Sequence, residues 1–307
     1  MTKHRSFFLA GLWAFCAPAL LGGCGEIVLF DPKGPVGRTQ MFVIVAALGL
    51  MLIVVIPVFL MNLWFPSKYR ESNKDNNYDP KWSYSAKIDL TMWLVPLAIV
   101  TVLATITWRE THRLDPYKPL ETSGDPVHIE AVSLDWRWLF IYPEHGIAVV
   151  NELCFPTNVP LSFRITSDTV MTSLFIPQLG SQIYAMGGMQ TRLHLLADEP
   201  GTYRGQNQQF SGRGFSDMHF QAVATPGWGE FEAWVQKVRQ SPEKLDFDRY
   251  EQLAKPSVGH SVIYFSAVEP GLFDKVIGKY THGAMHPGTM SRNAGSAGRK
   301  TVVLEGH

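Results

Sequence analysis

The side chains able to hold a metal or pass a proton are few and scattered in this sequence. Three Cys occur, at positions 16, 24 and 154, too few for a disulfide framework. Cys154 has no obvious partner, and a buried free thiol is its expected state. His282, Met285, His286 and Met290 are soft-metal ligand types close together. They sit, however, in an aperiodic stretch rich in Gly, Ser, His and Met, residues 282–307, which reads as a solvated, disordered tail. One carboxylate stands out, Asp89, at the edge of a long apolar run. An acid at a membrane boundary is costly unless it faces protein or water. The alternative for Asp89 is a solvated helix-start carboxylate favoured by the helix dipole.

Composition narrows the classes further. The chain has 307 residues with 27 basic and 27 acidic side chains. That balance excludes an acidic tail protein and a nucleic-acid binder driven by bulk charge. An apolar share of 46% looks ordinary for a soluble protein, but the apolar residues are crowded into the first third.

Lys3 and Arg5 precede an uncharged apolar run, Phe7 to Leu21, and then Leu21-Gly22-Gly23-Cys24. A basic start, a short apolar run and a small-residue cut site read as a secretory signal over 1–23. The ending resembles the bacterial lipobox, which predicts lipidation of Cys24 and an outer N-terminal segment 24–40. A short uncleaved anchor is the other reading. Met41 to Leu63 and Leu90 to Trp108 carry no charge. At ~1.5 Å per residue each can cross a ~30 Å hydrocarbon core, giving transmembrane helices over 41–64 and 90–108. Pro57 and Pro96 lie inside them, which membrane helices tolerate. Lys68, Arg70, Lys74, Lys81 and Lys87 lie between the runs, against only Lys33 and Arg38 between Cys24 and the first. Positive charge stays inside, so loop 65–89 is expected in the cytoplasm and both mature ends outside.

From Thr111 on, the period changes to two. His128 to Ser133 begins a strand pattern that Trp136, Trp138 and Phe140 continue, and Leu161–Ile165 and Leu193–Leu195 read alike. Turn signals separate these runs, so residues 111–227 read as a sandwich or barrel. After Trp228, Phe231, Trp234, Val235 and Val238 recur at helical spacing. Ser241-Pro242 then fits a helix start, with Phe247, Tyr250 and Leu253 as its apolar face. Val262–Phe265 reads as a short strand, and Leu272 to Tyr280 as a last amphipathic helix. Together these make a helical extension over 228–281.

Two spans and an outer β-domain opening on Trp136-Arg137-Trp138 resemble subunit II of the haem–copper respiratory oxidases. The resemblance implies a two-helix transmembrane hairpin plus an all-β cupredoxin-like Greek-key barrel. In the branch fed by cytochrome c that barrel holds a dinuclear copper centre. One His ligand precedes Ser; the others come from a loop of the type Tyr-x-Gly-Gln-Cys-Ser-Glu-x-Cys-Gly-x-x-His-x-x-Met. Here Val170-Met171-Thr172-Ser173-Leu174-Phe175-Ile176-Pro177 matches the first frame, with Thr172 in the His position. Tyr203 to Met218 matches the second. Asn207 and Ser211 stand in the Cys positions, Gln209 in that of the Glu, and Phe215 in that of the second His. Only Met218 remains among the side-chain ligands. A dinuclear copper centre needs bridging thiolates and imidazoles, so a copper-free domain is expected; the stretch Phe175 to Arg192, with Ile-Pro-Gln-Leu-Gly-Ser-Gln-Ile-Tyr-Ala-Met, resembles the cytochrome o ubiquinol oxidase branch.

That branch implies oxidation of ubiquinol and reduction of oxygen to water, coupled to proton translocation. Haems and copper then belong to a partner subunit I, with subunits III and IV, membrane lipid and ubiquinol as further partners in the bacterial inner membrane. No cofactor and no nucleic acid is expected on this chain. The family places a Glu shortly before Trp at the start of the second span as the mouth of a proton channel; Asp89, with Trp93 and Pro96 after it, takes that place. Trp136 and Trp138 are expected to pack on subunit I. The alternatives are a copper-bearing cytochrome c oxidase subunit II, a non-enzymatic membrane lipoprotein, and a menaquinol oxidase of the same superfamily.

Overall fold

The structure is a computed structural model and describes residues 28–70, 83–120, 122, 124–258 and 261–281. The proposed signal, Cys24, the loop centre 71–82 and the tail 282–307 lie outside the described residues. Two long helices lead the chain, α1 (Pro35–Lys68) and α2 (Ala86–Arg113). Both are long and apolar enough to cross a membrane. Each outlasts its uncharged run at both ends. Pro35 presets the first turn of α1, while Lys68, His112 and Arg113 in the last turns complement the helix dipoles. Their apolar side chains are exposed almost throughout, as befits helices covered by lipid or by other helices.

Thirteen strands follow among the described residues. They are β1 (Val127–Leu134), β2 (Arg137–Tyr142), β3 (Ile147–Val150), β4 (Glu152–Pro156), β5 (Leu161–Ser167), β6 (Thr172–Ile176) and β7 (Gly180–Ala185). The rest are β8 (Thr191–Leu195), β9 (Gly201–Gln206), β10 (His219–Thr225), β11 (Lys244–Leu245), β12 (Ile263–Phe265) and β13 (Ala267–Val268). One sheet runs β12-β3-β2-β1-β5-β8 and the other β4-β10-β9-β6-β7. β1 pairs parallel with β5, and β4 with β10. The two sheets enclose a core that includes Trp138, Phe140, Tyr142, Phe155, Phe163 and Phe220. This is the cupredoxin-like barrel, with helical additions behind it.

Those additions divide in two. α3 (Trp228–Arg239) puts Phe231, Val235 and Val238 into the barrel core itself, so it is part of the body. α4 (Phe247–Leu253) and α5 (Leu272–Thr281) instead cover the outer face of the first sheet. There Val132, Leu134, Leu139 and Ile141 meet Leu245, Tyr250, Leu253, Phe273 and Val276 in a second core. β2 is therefore buried on both faces, which explains its unbroken apolar run. Tyr250 and Lys279 both reach the Asp168 carboxylate, at 2.7 and 2.9 Å, and pin this layer to the end of β5.

Two local expectations are corrected. Ser241-Pro242 does not start a helix: Ser241 Oγ donates to the Tyr264 carbonyl at 2.6 Å, and Lys244–Leu245 pairs with Ala267–Val268. The helix begins at Phe247, where the Asp246 carboxylate accepts from Arg249 N at 2.8 Å and so serves as the N-cap. Trp136 does not continue the strand alternation either. Leu134 pairs with Arg137, so Asp135 and Trp136 form the hairpin turn, Trp136 with φ 62°.

The membrane segment is welded to the barrel at the β6–β7 turn. Lys33 N donates to Gln178 O, Gly37 N to Leu179 O and Asp198 N to Lys33 O. Lys33 pairs with Asp31 and Glu199, and Arg38 with Asp198. Gly34 is demanded by the contact, because a Cβ there would lie 2.2 Å from the Leu196 carbonyl oxygen.

Cys154 lies buried in the barrel core, and its backbone N–H and C=O are both bonded by the Tyr142 hydroxyl, at 2.9 and 2.8 Å. Burial pushes its thiol up to about 12. The folded protein therefore keeps the proton where an unfolded chain loses it, and stability falls as pH rises through the ordinary thiol range. At pH 8 an aromatic disulfide reagent is expected to leave Cys154 unmodified in the folded chain and to label it fully after denaturation. Rapid native labelling mapped to Cys154 would contradict this burial.

Candidate functional site

The residues at the copper-ligand positions gather on the β6 start and on the loop between β9 and β10. Asn207, at the end of β9, is buried. Its side-chain carbonyl accepts from Ser173 N and Gln209 N, both at 2.9 Å. Its amide donates to Gln209 O at 2.8 Å, Ser211 Oγ at 3.1 Å and Met218 Sδ at 3.4 Å. The backbone also closes, Asn207 N donating to Met218 O at 3.1 Å. One amide thus joins Gln209, Ser211 and Met218 to β6. Ser173 returns the contact, its Oγ accepting from Gln208 N at 2.9 Å.

Thr172 stands beside this cluster. Its hydroxyl is fully buried and donates to Ser133 Oγ at 2.7 Å, tying β6 to β1. Phe215 opens a 3-10 turn, Phe215–Asp217, and its ring lies 5.7 Å from that of exposed Phe210. It lines a cavity of about 180 Å³ with Arg204, Gln208 and His219 but makes no polar link to Asn207.

These donor atoms do not fit a dinuclear copper centre. Such a centre takes thiolates and imidazoles; an amide, two hydroxyls and a phenyl ring supply neither. The Gln209 carbonyl and the Met218 sulfur both receive an N–H from Asn207. Among the described residues, no three His, Cys, Asp or Glu side chains converge as a metal-binding group.

Trp136 closes the site from outside. Its indole N–H donates to Ser211 O at 3.0 Å, and its ring lies so close over Gly214 that a Cβ there would meet it at 2.4 Å. That packing holds a left-handed conformation a bulky residue rarely adopts. Trp138 takes no part. It is fully buried between the sheets, 6.4 Å from Phe140 and 6.1 Å from Phe220. The docking role expected for Trp138 is therefore corrected: strand alternation turns it into the chain's own core, and no other protein can touch it.

Asp89 is in the first turn of α2, its N–H bonded to Ser85 O at 3.0 Å, half-exposed and without a side-chain partner among the described residues. Trp93 and Pro96 follow at helical spacings of i+4 and i+7, on the same face. Ser133 and Ser173, which complete the polar cluster, went unnoticed in the sequence. The only signal for Ser173 was its place next to Thr172.

Comparison with known proteins identifies the relatives of this chain. Residues 144–224 match the family described as cytochrome c oxidase subunit II, periplasmic domain, and residues 239–284 the COX aromatic rich motif. The cytochrome bo(3) ubiquinol oxidase subunit 2 of Pseudomonas aeruginosa is 53% identical over 283 residues, covering 92% of this chain and 85% of that one. The ubiquinol oxidase subunit 2 of Acetobacter aceti is 53% identical over 277 residues, covering 90% and 89%. The Pseudomonas putida cytochrome bo(3) ubiquinol oxidase subunit 2 is 50% identical over 280 residues, covering 91% and 88%.

If Asn207 is what closes the loop, Asn207→Ala leaves buried Ser173 N and Gln209 without partners. The expected loss is about 2–3 kcal/mol, seen as a lower Tm of the detergent-solubilised chain. Gln209→Ala keeps the backbone contacts and should stay within about 0.5 kcal/mol of the parent. Equal effects of the two substitutions would contradict the assignment.

Proposed function

The chain belongs to the ubiquinol oxidase subunit 2 family, and from that membership we propose that it is the copper-free second subunit of an oxidase that oxidises ubiquinol and reduces oxygen to water with proton translocation. The observation that carries the copper-free reading is the Asn207 network: the seats of a water-side electron relay hold hydrogen-bonding and apolar side chains instead. Ubiquinol is dissolved in the bilayer, so its electrons reach subunit I from within the membrane and no relay through the outer domain is needed. Haems and copper on subunit I supply the electron transfer and the oxygen chemistry. This chain's own residues anchor, orient and dock.

The chain is an inner-membrane protein. Within that setting, α1 and α2 cross the bilayer with the loop between them in the cytoplasm, supported by the five basic residues of that loop and its flanks. Cys24 carries lipid at the outer leaflet, each buried CH₂ contributing ~0.8 kcal/mol. Subunit I is the principal partner. Subunits III and IV, lipid and ubiquinol complete the assembly. On the barrel, half-buried Trp136 is the aromatic that faces subunit I.

Asp89 admits protons. It sits on the cytoplasmic turn of α2 with no partner to neutralise it among the described residues, and Trp93 and Pro96 continue its face toward the membrane interior. An acid on that face takes up a proton from water and passes it to a channel in subunit I, whereas an amide cannot.

Purification in mild detergent by a tag on this chain is expected to bring a haem-bearing subunit and quinol-dependent oxygen uptake, without a near-infrared copper–thiolate band. Such a band at stoichiometric strength would overturn the copper-free reading. In vesicles, Asp89→Asn should lower turnover and proton translocation by roughly tenfold or more, and Asp89→Glu should restore both. Unchanged turnover in Asp89→Asn would leave the carboxylate only its helix-start role.

A further inference from the structure

Among the described residues, Arg137 is a cation that the barrel covers without giving it a counter-charge. The residue is 8% exposed, and its Nε is buried without a hydrogen-bond partner. Its guanidinium makes no ion pair or hydrogen bond among the described residues. Loss of water around it pulls its affinity for the proton down, with no opposing charge to restore it. A buried guanidinium nitrogen with no acceptor is costly to a fold. Carboxylates close to it in sequence or on neighbouring strands have other partners. Asp135, two residues before it, accepts from the Thr169 hydroxyl. Asp168 accepts from Tyr250 and Lys279. Glu152, just past β3, accepts from Trp234 Nε1 and Tyr264 at 2.7 and 3.0 Å.

The surroundings of Arg137 fit a protein partner. It is the first residue of β2, directly after the turn that holds Trp136. Around that turn lie Val170 and Met171, 56% and 41% exposed, and Phe210, 72% exposed. The Thr169 bond to Asp135 brings the first two to the turn, and the Trp136 bond to Ser211 O brings the third. Exposed aromatic and Met side chains at the turn before β2 have the make-up of an interface, and the Arg137 side chain leaves that turn on the Leu134 face of the sheet. Arg137 also sits at the Thr172 end of the barrel. α1 joins at the opposite end of β6, roughly 15 Å away at ~3.3 Å per residue, so Arg137 lies apart from the place where the chain leaves for the bilayer.

We propose that Arg137 is a docking anchor that receives a carboxylate side chain of subunit I, which completes a buried ion pair left half-built in this chain. A planar fork of five N–H donors matches a carboxylate in two-point geometry. The anchor rests on the proposed docking of this barrel on the haem-bearing subunit and names the charged contact within it.

The test uses the intact complex, purified by a tag on this chain at low and at ~0.5 M salt. The parent complex should retain the haem-bearing subunit under both conditions. Arg137→Met keeps the bulk and removes the charge, and should lower the ratio of haem to chain by about fivefold or more while the chain alone keeps or raises its Tm. Arg137→Lys keeps the charge and should hold the complex at low salt. Its amine also permits a direct reading: a water-soluble carbodiimide condenses that amine with a carboxylate to an amide, the carbodiimide leaving as a urea. Mass mapping should then find the new amide joined to an Asp or Glu of the haem-bearing subunit. An amide to an acid of this same chain would overturn the proposal, as would Arg137→Met complexes that keep their haem at high salt. Loss of bound anionic phospholipid from Arg137→Met with haem retained would assign the contact to lipid and equally overturn it. If the parent tag brings down no haem at all, the oxidase-subunit reading itself falls, a result distinct from any of these.

Discussion

A loop of a dozen residues between two strands needs something to hold it in one shape, and here a single amide does so. Asn207 offers an acceptor with two lone pairs and two N–H donors, and every one of these capacities is used: two backbone N–H groups on the oxygen, and a carbonyl, a hydroxyl and a thioether on the nitrogen. An Asp would supply only acceptors and a Ser too short a reach. At a net worth of about 1 kcal/mol per bond, the network is comparable to a sizeable part of a domain's whole stability. The consequences spread outward. The Asn207 amide fixes Ser211; the Ser211 carbonyl fixes the Trp136 indole; and Trp136 holds the turn that starts β2. The hydrogen bonds thus do for the shape of this barrel end what a metal cluster would do, and they need no thiolate.

The first sheet imposes the second requirement. Its strands carry apolar side chains on both faces, so a barrel alone would leave Val132, Leu139 and Ile141 in water. α4 and α5 remove that surface, and the Asp168–Tyr250–Lys279 cluster locks them to β5, the strand whose extension leads into Thr172. The aromatic-rich segment after the barrel is therefore part of what shapes the site end, although it contributes no residue to the Asn207 network. At the other end the tight contact of Gly34 with Leu196 seats α1 on the β6–β7 turn. The body is braced from both ends of β6, by α1 at one and by the Asn207 network at the other.

Much of this was legible in the residues. The uncharged runs, the period-two segments and the ligand positions of the loop could all be read, because each depends on the type of a side chain and on local spacing. What failed depended on three-dimensional competition. Ser241-Pro242 has the right chemistry for a helix start, but the Tyr264 carbonyl claims the Ser hydroxyl and Asp246 supplies the cap instead. Trp136 and Trp138 look equivalent in an alternating pattern; a two-residue turn puts one over the loop and the other wholly inside. Ser133 and Ser173 carry no signal by themselves, since a small polar residue in a strand is unremarked until its partner arrives from another sheet. Arg137 was invisible for a related reason: an Arg is expected at a surface, and only the register of β2 reveals that it is covered.

The geometry also limits what this chain can do within an oxidase. The carboxylate proposed to take up protons lies on the first turn of α2, while the hairpin with Trp136 and Arg137 lies beyond the other end of the same helix. With 28 residues in α2, at ~1.5 Å per residue the two are about 40 Å apart or more. The apolar helix between them carries no chain of titratable side chains, and the barrel holds neither thiolate nor imidazole where electrons would be received. Among the described residues, neither α2 nor the copper-ligand positions supply a relay along this subunit. In the oxidase proposed above, what couples uptake on one side of the membrane to chemistry within it runs through the partner, and the part proposed for this chain is to present an acid on one side and a docking face on the other.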